Sequence, residues 1–185
     1  SFIRDASGRW SEQGLILDPG GRGFGALGMS FMRSGNQLWA GAMGDLFGDV
    51  PAAGSVAVFR RPAPGGSWQF SHKFGVPEKE VNRGGFGQRV SVSGDIAAVT
   101  SVRGDIKGES RSVIYFLRDR GTDTPETVAT IETAGPGEIW RGRNFHSGRL
   151  FAFCHPREAG PGGKPNSGAV YVFPRSRFPA LFGAP

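Results

Sequence analysis

Four carboxylates occupy matched positions in two loops: Asp45 and Asp49 in Gly44-Asp-Leu-Phe-Gly-Asp49, and Asp105 and Glu109 in Gly104-Asp-Ile-Lys-Gly-Glu109. Both loops read Gly-Asp-x-x-Gly-acid. Carboxylates are hard oxygen donors, and a hard cation gathers about six to eight oxygens. Each loop supplies two acids, and Arg103 and Lys107 oppose a cation in the second. Gly and Asp are equally suited to turns that hold no ion. The histidines are His72, His146 and His155, the last beside Cys154. Imidazole and thiol together could serve metal or nucleophilic chemistry. No Asp or Glu is spaced with them in a motif, so packing in the core or at a rim is the expected role. No Gly-x-Ser-x-Gly elbow, phosphate loop or catalytic carboxylate pair occurs, and no enzyme is expected.

The elements that must position these residues follow from composition. In 185 residues there are 31 Gly and 13 Pro, which leaves no room for long helices. Yet 38% of the chain is hydrophobic, with 15 Phe and 4 Trp, too much apolar material for a disordered segment. Frequent turns between aromatic and β-branched runs predict an all-β protein of short strands. The net charge of +6 favours anionic partners in general. No Lys/Arg run of nucleic-acid type occurs, so nucleic acid is not an expected partner. A single cysteine excludes an internal disulfide, and no zinc-site spacing occurs. No apolar run is long enough to span a membrane as a helix. The chain opens on Ser1, the start expected of a processed or partial chain.

Internal repetition organises the sequence. Leu27–Ala42, Phe86–Ser101 and Trp140–His155 align, with Ser34-Gly35, Ser93-Gly94 and Ser147-Gly148 in register as hairpin turns between alternating apolar residues. A further strand follows each hairpin: Gly54–Arg60, Ser112–Arg118 and Gly168–Pro174. Another precedes each one: Arg9–Leu17, Ser67–Phe74 and Glu126–Ile131. Three four-stranded units are thus expected at residues 8–61, 66–119 and 122–175, with 176–185 as a tail.

The pattern resembles the FG-GAP repeat of β-propellers such as those of integrin α-subunits. Phe86-Gly87 and Ser93-Gly94-Asp95 carry the likeness in the second unit, Gly41-Ala42 in the first and Gly168–Phe173 in the third. Leu27 replaces the expected Phe, Met43 replaces Pro, and Trp140-Arg141 replaces Phe-Gly. The resemblance implies a β-propeller-type array of three blades in an extracellular, extracytoplasmic or organelle-lumen setting. It also implies that the loop after the inner hairpin could hold calcium, at Asp45 and Asp49 and, more weakly, at Asp105 and Glu109. Arg103-Gly104-Asp105 spells a tripeptide that integrins bind, a coincidence that an Arg- and Gly-rich chain invites.

Three blades do not close a ring, and an open stack exposes two apolar sheet faces. A protein partner or a second copy is therefore expected to complete the array, giving a non-catalytic interaction or scaffold module. A β-trefoil, which also uses three four-stranded repeats, is the alternative fold. The alternative function is binding of a carbohydrate or anionic polymer at the rim, through Trp10, Trp68, Trp140, Arg141 and Arg143.

Overall fold

The structure is a computed structural model that describes residues 1–20, 25–76, 85–104, 110–122, 124–132, 144–146, 150–155, 159, 161–164, 167–174 and 176. Its described residues hold thirteen strands and no α-helix. Strands β1 (Phe2–Arg4) and β2 (Trp10–Glu12) pair alone. The first large sheet runs in order through β3 (Ser30–Ser34), β4 (Gln37–Ala42), β5 (Ser55–Arg60) and β6 (Gln69–Phe74). The second runs through β7 (Arg89–Ser93), β8 (Ile96–Gly104), β9 (Ser110–Arg118) and β10 (Glu126–Glu132). The third holds β11 (Asn144–His146), β12 (Leu150–His155) and β13 (Ala169–Pro174). Each is an antiparallel meander. None of the described sheets closes on itself, as a trefoil barrel would have to.

The repeated hairpins form as expected. Ser34 pairs with Gln37 and Ser93 with Ile96, leaving two-residue loops that begin with Gly35 at φ 58° and Gly94 at φ 64°. A glycine at the first of two turn positions takes that backbone without Cβ strain. The third turn, Ser147-Gly148, lies outside the described residues.

One expectation changes. The strand preceding each hairpin belongs to the sheet before it: β6 pairs with β5 from Arg60↔Gln69 to Val56↔Phe74, and β10 pairs with β9. Adjacent antiparallel strands joined by a short loop pair with each other, whereas the longer stretch 75–88 carries the chain to the next sheet. Sheet boundaries are therefore offset from the sequence units. The segment beginning at Trp10 is the counterpart of β6, yet it has no large sheet of its own.

The sheets stack face to face. Trp39, Val56, Val58 and Phe74 of the first meet Val90, Val92, Val99, Val113 and Tyr115 of the second. On the second sheet's other side, Ile96, Ala98, Ile114 and Phe116 meet Phe151 and Phe153 of the third. Central strands β5 and β8 are consequently apolar on both faces, which is why they read as continuous runs rather than alternations. The first strands of the sheets, β3, β7 and β11, lie beside one another at the inner edge of the stack. There the Val90 amide of β7 donates to Ser30 Oγ of β3 at 2.8 Å.

Close approach of backbone sets that inner edge. A Cβ on Gly41 would stand 1.9 Å from the Gly87 carbonyl oxygen, and one on Gly87 2.3 Å from that of Ser55. Gly94, by contrast, needs glycine only for its positive φ, since a Cβ there meets open space. Gly41→Ala is expected to cost about 3 kcal/mol by forcing the sheets apart, and Gly94→Ala about 1 kcal/mol. Denaturant unfolding of both variants checks the ordering.

Candidate interaction surface

The aligned strands β5, β9 and β13 show how the stack ends. Val56 and Val58 face the second sheet, and their counterparts Ile114 and Phe116 face the third; all four are fully buried. The next counterparts are Val170 and Val172, which are 66% and 58% exposed. Register places them with Cys154 and Ala152 of β12, on the side of the third sheet opposite Phe151 and Phe153. The third sheet thus presents a forward face of Ala152, Cys154, Val170 and Val172 whose chemistry is that of the two buried interfaces.

The other end of the stack is treated differently. On the first sheet's rear face, Ala40, Ala57 and Phe59 are covered by Ile16 and Leu27 from the N-terminal segment and by half-buried Trp68. Cover is incomplete toward the inner edge. Phe31 is 67% exposed there, whereas its repeat counterpart Val90 is 5% exposed under the first sheet.

The N-terminal segment is fastened by buried charge. Lys73 of β6 donates to Asp45 Oδ2 and Asp18 Oδ2, each at 3.0 Å, and to the Gly20 carbonyl at 3.1 Å, while Ser55 Oγ donates to Asp45 Oδ2 at 2.7 Å. Desolvation disfavours the ammonium, but the two carboxylates outweigh it and raise the Lys73 pKa. Its charge therefore stabilises the fold below the ordinary value of 10.5, and that contribution is lost as pH rises through the higher folded value. The loop expected to hold calcium thus sets its buried acid, Asp45, against an ammonium. Asp49 is exposed at the tip of the turn closed by the Phe47–Val50 bridge. Lys73→Met removes a cation from a buried carboxylate and is expected to cost about 3 kcal/mol. Thermal unfolding monitored by circular dichroism reads it.

A second ionic group crosses between sheets. Asp119, just beyond β9, accepts from Arg60 Nη2 and from the Gly121 amide, both at 2.6 Å, and lies 3.3 Å from His72 Nε2 of β6. Burial acts to raise its pKa, but His72, Gly121 and Arg60 prevail and hold it at about 2. Register shifts between Val58 and Phe59, so Ser71 is an extra residue opposite β5, and its Oγ lies 3.0 Å from His72 Nδ1. Serine, histidine and aspartate follow one another as in a nucleophilic relay. Here the imidazole is buried and stacks against Phe74, and its second nitrogen is turned into the ionic group. The group works as a clamp between the first and second sheets. Because the Asp119 pKa is depressed, the stabilisation it carries is complete above the ordinary value of 3.8 and disappears as pH falls toward about 2. Acid titration of stability is expected to show a loss of about 1 to 2 kcal/mol over that window, after allowance for solvent screening, and Asp119→Asn removes it.

Of the residues singled out by sequence, Trp10 is exposed on β2, and Trp68 carries the Arg61 guanidinium 4.8 Å above its ring. Trp10 belongs to the two-stranded sheet, whereas Trp68 immediately precedes β6 of the first large sheet. Asp105, Glu109, Trp140, Arg141 and Arg143 lie outside the described residues. His146 ends β11 and His155 ends β12, while Cys154 is half-buried. No three His, Cys, Asp or Glu side chains among the described residues group as a metal centre. Lys73, Asp18, Arg60 and Asp119 had no motif to announce them. The one available signal was a His72-Lys73 pair in an otherwise apolar and polar strand. Comparison with family models, curated proteins and solved structures finds no match to this chain.

Proposed function

We propose that this protein is a non-catalytic interaction module, a scaffold or accessory subunit that docks through the forward face of its third sheet. One observation carries the reading. Val170 and Val172 are exposed at repeat positions that are buried by a neighbouring sheet in both preceding units. A sheet with apolar residues on both faces reaches its full stability only when both are covered. The array is read as FG-GAP-like and extracytoplasmic, on the strength of the sequence motifs and of three sheets whose first strands run together at one edge.

The test uses a hydrophobic dye as probe. Val170→Asp combined with Val172→Asp changes residues that are already exposed, so the melting temperature is expected to stay within a few degrees. Dye fluorescence of the dilute protein is expected to fall severalfold. Unchanged fluorescence would show that the forward face is not the accessible apolar surface and would remove this reading.

A further inference from the structure

We propose that Ser71 is an acyl-acceptor site, a serine whose hydroxyl His72 activates for attack on an activated ester or thioester. The site is separate from the docking surface, because Ser71 stands on β6 of the first sheet and the forward face belongs to the third. The clamp between the first two sheets uses Arg60 and Asp119 and leaves this hydroxyl over.

Position is the first ground. β6 ends the first sheet, and Ser71 is the extra residue of its bulge, exposed while its neighbour His72 is buried. A bulge breaks the alternation of a strand and re-aims a side chain, which is why bulges gather beside reactive sites. The hydroxyl is thus open to a reagent, and the imidazole beside it is shielded. An ordinary exposed serine has no base to take its proton. Ser71 Oγ lies 3.0 Å from His72 Nδ1, within reach for that transfer.

The far side of the ring is the second ground. For Nδ1 to accept, the neutral imidazole must carry its proton on Nε2. That nitrogen is buried, makes no hydrogen bond in the resting geometry, and lies 3.3 Å from Asp119 Oδ1. A carboxylate held at a pKa of about 2 is ionised at neutral pH, and its charge favours a proton on the nitrogen that faces it. The charged groups at the ring are Asp119, from beyond β9, and Arg60, from β5, which pairs with the same carboxylate. When the ring takes the serine proton it becomes a cation, and its Nε2–H tightens onto Asp119. His72 is therefore the base, and Asp119 is the residue that positions it. Stacking on Phe74 fixes the plane of the ring.

The step balances within these groups. Ser71 Oγ bonds to the carbonyl carbon, and the bond to the leaving group breaks with its electron pair going to that group. The hydroxyl proton passes to His72 Nδ1 and from there to the leaving group. The product is an O-acylated serine.

A fluorophosphonate is the probe, since Oγ displaces fluoride from phosphorus with the same proton transfer. The full chain is expected to be labelled once, at Ser71 by peptide mapping, about a hundredfold faster than N-acetylserine amide. Labelling is expected to slow as acidification protonates the imidazole, over a range in which circular dichroism shows the fold intact. Ser71→Ala changes an exposed residue, so it is expected to keep its melting temperature within a few degrees and to lose the label. Asp119→Asn is expected to slow labelling about tenfold and to change its pH profile. Labelling no faster than the free serine amide overturns the proposal, as does labelling that survives Ser71→Ala. A rate indifferent to pH across the folded range also overturns it, and that measurement on the unaltered chain depends on no variant's folding. A folded Asp119→Asn chain that labels at the native rate overturns it as well.

Discussion

Each of the three larger sheets described has two apolar faces, and that constraint governs the rest. A four-stranded sheet of this kind loses most of its driving force if either face meets water, since burial yields about 25 cal/mol per Å² of apolar surface. The chain answers by stacking sheets and using each as the cover of its neighbour. Val56 and Val58 are covered by the second sheet, and Ile114 and Phe116 by the third. Stacking transfers the unmet face along the array and does not remove it. The exposure of Val170 and Val172 is thus the end point of the principle that buries the core.

Stacked twisted sheets need a place where backbones can nearly touch, and they need to be locked in register. Gly41 and Gly87 provide the first at the inner edge, where no Cβ could be accommodated. Ion pairs made on buried carboxylates provide the second farther out. The Arg60–Asp119 pair joins the first sheet to the end of β9, while Lys73 joins β6 to the loop after β4 and to the N-terminal segment. Hydrophobic contact is non-directional and tolerates sliding. Hydrogen-bonded ion pairs do not, so they select one alignment among the many that the apolar faces would accept.

Much of this order was legible in the sequence, and what was not has physical causes. The hairpins were legible because glycine at positive φ and period-two apolar patterning are local properties, as at Ser93-Gly94-Asp95. The assignment of β6 to the sheet before it was not. Ser67–Phe74 carries the same side chains whichever neighbour it pairs with, and the choice is made by the length of the flanking connections. Asp45 was marked as a candidate cation ligand by its loop. The cation it meets, Lys73, lies twenty-eight residues away on another strand and could be found only by folding the chain. Asp119 offered no signal either, because its partners Arg60 and His72 reach it across a sheet interface.

The Lys73 ammonium has one more consequence. An ion drawn from solution is held by mass action and is lost to dilution or to a stronger chelator. A cation carried on a side chain is present at one per chain in every surrounding and is renewed each time the protein is synthesised. The hold of Asp18 and Asp45 on the N-terminal segment through Lys73 is therefore made from the chain's own side chains. This fastening of the first sheet arrives already made.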